Sequence, residues 1–180
     1  MKKITLLFLI FIATTTTIAQ EKMTTDKGII NFEASVPFFE EVKAINKKTA
    51  CVLITKTGEL TCFAIIKNFQ FERSLMEEHF NANYMQSHRY PKAIFKGRIE
   101  KFDLKNIDSN ATEYQITGKI TMHGKSKKII VTSTIKKGTQ GIELITNFPL
   151  NTDDFKIEIP FIVRSKVSKN VNTQLYCVLQ

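Results

Sequence analysis

The side chains in this sequence with chemistry to offer are three histidines, three cysteines and three pairs of adjacent carboxylates. His79, His88 and His123 stand nine and thirty-five residues apart, and the chain contains no His-Glu-x-x-His stretch. Zinc sites are built from ligands at short, regular spacing, so no metal site is expected. Glu40-Glu41, Glu77-Glu78 and Asp153-Asp154 are neighbours in sequence. Adjacent residues point to opposite faces of a strand and do not face one another on a helix, so none of these pairs forms an acid/base couple by itself. There is no Gly-x-Ser-x-Gly elbow to expose a nucleophile and no glycine-rich phosphate loop. No catalytic residue and no cofactor are therefore expected.

Cys51, Cys62 and Cys177 are an odd set, which cannot form a complete disulfide framework. A two-residue turn at Thr57-Gly58 would place Leu53 opposite Cys62. The two nearer cysteines would then lie diagonally, about 7–8 Å apart between Cα atoms. That is too far for easy bridging. A different register would change this; as drawn, three buried thiols acting as small apolar residues are expected.

The elements that position these residues are mostly strands. Before them, Lys2-Lys3, the apolar run 4–13 and the small-residue tail ending in Thr17 and Ala19 have the form of a secretory leader cleaved between Ala19 and Gln20. The apolar run is about half of what a membrane span needs. The remainder, 20–180, suits one domain. Its net charge stays positive without Lys2 and Lys3, but the lysines are spread along the chain. Export and this dispersal exclude nucleic acid as a partner, and leave room for an anionic membrane surface.

Period-two alternation marks strands over 28–36, 49–56, 60–69, 93–104, 113–122, 127–136, 142–150 and 171–179. His123-Gly124 reads as a two-residue hairpin turn. One segment has the helical period: Ser74 and Glu77 read as a capping box ahead of a short helix from Leu75 to Asn83. Leu75, Met76, Phe80 and Tyr84 share one side of it. Eight antiparallel strands with one apolar face each must hide it by sandwiching or by closing into a barrel, whose interior would hold side chains or one slim ligand. Periodicity does not distinguish the two.

Three blocks add a resemblance. Leu75-Met76-Glu77-Glu78-His79-Phe80 leads through Tyr84-Met85 and Tyr90-Pro91-Lys92-Ala93 to Phe95-Lys96-Gly97. Gly118-Lys119-Ile120-Thr121-Met122-His123-Gly124 is the second block, and Asp154-Phe155 ahead of Ile157 the third. In these the chain resembles YceI-like domains, with Glu77-Glu78 standing where an arginine-aspartate pair is usual. The resemblance implies an all-β fold with a short helix, an elongated eight-stranded antiparallel barrel of lipocalin-like shape. It also implies that an apolar tunnel binds a long isoprenoid lipid, and a periplasmic or secreted location. Phe80, Tyr84, Met85, Phe95, Met122, Phe148 and Phe155, in or beside the blocks, are then the candidate lipid contacts, and His79 and His123 the candidate head-group contacts. A homodimer is compatible with the architecture. The competing expectations are a hydrolase or metal-dependent enzyme using His79 and His123, and a barrel with a filled core acting as a stress-related interaction partner.

Overall fold

The computed structural model describes residues 21–180; the expected leader and its cleavage point lie outside them. Nine strands follow in order: β1 (Lys22–Ser35), β2 (Lys43–Ile54), β3 (Glu59–Ile65), β4 (Gln70–Phe71), β5 (Lys92–Ile99), β6 (Thr112–Met122), β7 (Lys125–Lys137), β8 (Ile142–Asn151) and β9 (Val167–Leu179). Each pairs antiparallel with its neighbours in the order β1-β9-β8-β7-β6-β5-β3-β2, and β2 pairs back onto β1. That return closes an eight-stranded barrel, which leaves no open edge in the ring. The two-residue β4 is added to β2.

The strand faces follow the alternation in the sequence. Ile116 and Ile120 on β6, Val131 and Ile135 on β7, Ile142 and Leu144 on β8, and Leu175, Cys177 and Leu179 on β9 are all buried. His123 and Gly124 both take positive φ, 49° and 69°, and join Met122 directly to Lys125. That is the backbone a two-residue hairpin demands.

The β2–β3 connection departs from the expected turn. It runs over four residues, 55–58, with the Gly58 N–H donating to the Ile54 carbonyl at 2.9 Å and Gly58 at φ 71°. Leu53 therefore pairs with Leu60, and Cys51 sits directly opposite Cys62 at a Cα separation of 4.1 Å. The two form a disulfide, and Cys177 alone is free and buried. The expectation of three free thiols is corrected by this register.

Antiparallel order assigns the loops to two ends. The 55–58 and 138–141 turns and the 100–111 connection lie at one end. The 36–42 loop, the 66–91 segment, the His123-Gly124 turn and the 152–166 segment lie at the other. The interior near the first end is filled by Cys51, Leu53, Leu60, Cys62, Ile99 and their neighbours. A second cluster, with Ala64, Ile66, Phe69, Met85 and Phe155, belongs to the loop-rich end. Ile30, Phe95 and Ile129 pack against both clusters and mark the level where one gives way to the other.

The helical segment forms as α1 (Ser74–His79), followed by a π-helical turn over Phe80–Tyr84. No capping box forms. Arg73, in extended conformation, is the N-cap, Ser74 is already helical, and the Glu77 carboxylate accepts instead from the Phe71 N–H at 3.2 Å.

Candidate functional site

The loop-rich end of the barrel is hollow. A cavity of about 440 Å3 opens there, within the ~300–1,000 Å3 range of small-molecule sites. Its walls are inward residues of the strands, such as Ile30, Phe32 and Ala34 of β1 and Ile120 and Met122 of β6. The residues of α1 and the π-helical turn close over it; none of them is fully buried. The π-helical turn is closed by the Met85 N–H donating to the Phe80 carbonyl at 2.8 Å. This one wider turn brings Phe80, Tyr84 and Met85 all to the cavity wall. Such turns recur at functional sites.

Below the helix, four phenylalanines form a continuous aromatic wall. Phe80 lies 5.0 Å from Phe71, 5.5 Å from Phe32 and 5.7 Å from Phe69, centroid to centroid. Phe32 also meets Phe69 at 5.4 Å and Phe71 at 5.8 Å. Rings at these separations gain from edge and offset contact beyond their burial. The wall is therefore set by the protein itself before any guest arrives.

Polar groups are few and belong mostly to one side. His79 and Arg73 come from the helix segment, and Asn151, Thr152, Lys166, Ser168 and Thr173 from β8, β9 and the segment between them. Arg73 is engaged with Glu40. Thr152 Oγ1 and Thr173 Oγ1 are buried and find no hydrogen-bond partner among the described residues. An unmet buried hydroxyl costs about 1–3 kcal/mol. Both residues belong to the cavity wall, with their hydroxyl oxygens turned away from the open space. Burial pushes the Tyr84 phenol up, so this group is a neutral hydroxyl at physiological pH.

Of the expected lipid contacts, Phe80, Tyr84, Met85, Met122 and Phe148 line the cavity, and so does His79. Phe95 does not. Its ring lies across Gly97 and Gly118, which are paired between β5 and β6. There it lines a separate void of about 70 Å3 beneath the main cavity. Phe155 is a correction: it is completely buried in the core under the 3-10 turn that follows β8. His123 is another. Its position in the β6–β7 turn directs Nδ1 to the Phe155 carbonyl at 2.9 Å, and its ring packs on Tyr90 with centroids 4.8 Å apart. A carbonyl oxygen only accepts, so Nδ1 carries the proton. His79 thus lines the cavity and His123 does not, and no cluster of three potential metal ligands occurs among the described residues.

Sequence reading missed Phe32, Phe69, Phe71, Thr152, Thr173 and Lys166. The phenylalanines lie outside the three blocks, but their alternation on β1 and around β4 was a usable signal. Nothing in the local sequence marks either threonine as part of the cavity wall.

The model of the YceI-like domain matches residues 15–179. Among solved structures, a polyisoprenoid binding domain from Saccharophagus degradans, described as implicated in plant cell wall breakdown, superposes with a TM-score of 0.75 at 12% identity. It covers 88% of this chain and 97% of that one. BcnA of Burkholderia cenocepacia follows at a TM-score of 0.64 and 15% identity, over 86% of this chain and 96% of that one. The YCEI protein of Campylobacter jejuni matches at 0.57 and 22%, over 77% and 85%. At these identities the likeness is one of fold. No curated protein matches the chain.

Proposed function

Because this chain belongs to the YceI-like domain family, we propose that its cavity binds one long apolar lipid of isoprenoid type, and that the protein carries or sequesters that lipid outside the cytoplasm. The observation that carries the proposal is the contrast within the barrel: one half filled by its own side chains, the other left as an apolar cavity open to solvent. A protein that only needed a core would gain by filling both halves.

The energetics suit such a guest. Each methylene moved from water into this cavity contributes roughly 0.8 kcal/mol, so a chain of a dozen or so carbons binds without hydrogen bonds. The few polar groups then orient one end. His79 and Lys166 are the side chains available for a head group or a polar chain terminus. That the Saccharophagus degradans domain is described as polyisoprenoid binding supports the choice of isoprenoid over other apolar chains.

Export has two supports. One is the leader-like stretch 1–19. The other is the Cys51–Cys62 disulfide, a bond that persists in oxidising compartments and is rare in the cytosol. Sequencing the amino terminus of the protein from its host should return Gln20 first; an intact Met1 would refute export by cleavage. For the ligand, displacement of an environment-sensitive apolar dye by isoprenoid alcohols and by straight-chain fatty acids of equal carbon number is the direct assay. Preference for the branched chains is expected, and indifference to all of them would reject the proposal.

A further inference from the structure

The loop-rich end of the barrel carries large apolar side chains where a freely solvated rim would carry polar ones. Seven large hydrophobic residues are exposed among those described: Phe38, Phe39, Phe63, Leu75, Ile130, Phe161 and Ile162. All but Phe63 and Ile130 belong to the cavity end, and none lies on the loops of the opposite end. Phe38 stands fully exposed at φ 68° in the 36–42 loop. Phe161 and Ile162, 84% and 85% exposed, form the tip of the 3-10 turn Phe161–Val163. Their neighbours Phe39, Ile159 and Val163 line the cavity, as Leu75 itself does, so three separate segments rim one opening.

The charge around this tip is one-sided. Residues 156–166 carry Lys156, Arg164 and Lys166 against Glu158 alone. None of the three cations has an ion-pair partner among the described residues, and the Arg164 guanidinium lies 6.0 Å over the Phe161 ring. Four carboxylates in the loops of the same end are ion-paired: Glu40 with Arg73, Glu41 with Lys43, Asp153 with Lys169 and Asp154 with Lys127. Glu72, Glu77 and Glu78 have no cationic partner among the described residues and belong to the helix side of the opening. The segment that carries the Phe161–Ile162 tip is thus itself net positive, three cations to one carboxylate.

We propose that this rim docks on an anionic phospholipid bilayer, with Phe161 and Ile162 entering the headgroup–acyl boundary and Arg164 and Lys166 meeting the lipid phosphates. Apolar tips with a cationic collar match the layered chemistry of that interface: hydrocarbon inside, anionic oxygens outside. A soluble partner would have to supply both layers in the same order. Docking in this orientation sets the cavity mouth against the lipid, so a guest passes between bilayer and barrel without crossing water. The proposal goes beyond ligand binding, since docking is measurable whether or not the cavity is occupied.

The chain has no tryptophan, so Phe161→Trp gives a single reporter at the tip. Its emission should shift to the blue on adding phosphatidylcholine vesicles that contain phosphatidylglycerol, and much less with phosphatidylcholine alone. In vesicle flotation, the double variant Phe161→Ser, Ile162→Ser should partition about tenfold or more weakly than the unaltered protein. Arg164→Gln and Lys166→Gln should each cost about fivefold on the anionic vesicles only. Phe161, Ile162 and Arg164 are surface positions outside the cavity lining, and the apolar-dye assay run on the variants at these three sites should show the cavity unchanged. An unmoved emission spectrum, or flotation indifferent to the serine pair, overturns the proposal. So does a dimer that the serine pair converts to monomer while vesicles bind neither form, which would assign the rim to a second copy of the chain.

Discussion

His123 donates from Nδ1 to the main-chain carbonyl of Phe155 at 2.9 Å, and this bond ties the β6–β7 turn to the 3-10 turn after β8. Tyr90 meets the same ring edge-on, and a Cβ on Gly124 would stand 2.8 Å from Tyr90 Cε1. Lys127 pairs with Asp154 alongside. The Tyr-Pro, His-Gly and Asp-Phe pairs, distant in sequence, thus meet around one histidine. Together they fasten this end of the barrel.

His123→Ala should therefore act on stability. It leaves the Phe155 carbonyl without its donor and removes the contact with Tyr90, together costing about 1–3 kcal/mol. Urea denaturation should register that loss while dye binding in the cavity stays within a factor of two or so. A variant of unaltered stability that had lost an activity would instead make His123 a reacting group.

Gly118→Ala tests the floor of the cavity. A Cβ there would lie 2.5 Å from Phe95 Cζ and 2.7 Å from the Lys96 carbonyl oxygen, too close for any real contact. Overpacking of this kind costs about 1–3 kcal/mol. Phe95→Ala has the opposite geometry: it joins the void of about 70 Å3 to the cavity of about 440 Å3. The longest isoprenoid alcohol that displaces the dye should then lengthen. An unchanged length preference would mean that Phe95 does not set the depth.

The cysteines predict a thiol count. Native protein should react with no thiol reagent, and unfolded unreduced protein should react once, at Cys177. Reducing Cys51–Cys62, which closes a segment of sequence separation 11, should lower stability by about 2–3 kcal/mol. Burial pushes the Cys177 thiol from 9.0 up to about 12. Its folded value is raised, so its contribution to stability is fully present below pH 9 and declines as pH rises through 12. Cys177→Ala should flatten that alkaline limb in a pH series of urea midpoints; an identical limb would assign it to other groups.

Thr173→Val separates the needs of the fold from those of the ligand. Thr173 Oγ1 is buried without a partner, so a near-isosteric apolar replacement should leave stability unchanged or raise it by about 1 kcal/mol. With the hydroxyl turned away from the open space, isoprenoid alcohols and their parent hydrocarbons should bind the variant and the unaltered protein alike. A loss confined to the alcohols would mean that the hydroxyl turns inward to orient the guest.

The strands were legible because alternation reports directly which side of a strand leaves water. Ile116, Ile120, Val131 and Leu144 fall on the expected face for that reason. Register was not legible: moving the β2–β3 turn from 57–58 to 55–58 exchanged Leu53 for Cys51 opposite Cys62 and created a disulfide. Helix existence followed from periodicity, but its start did not, since Glu77 found a better partner in the Phe71 N–H than in a capping box. Within the site, Phe80, Tyr84, Met85, Met122 and Phe148 could be named in advance as residues of one face. Whether the space they enclose is empty depends on what stands across the barrel, at positions tens of residues away. That is also why Phe155 was misplaced: it has the same residue type as the lining phenylalanines and the opposite surroundings.

The central claim is that the hollow half of the barrel exists to hold a lipid, and native mass spectrometry of protein purified from its own host tests it most directly. A mass excess over the polypeptide that organic extraction removes and identifies as an isoprenoid-type lipid is the predicted result. Protein that arrives empty and also takes up no isoprenoid probe would contradict the account.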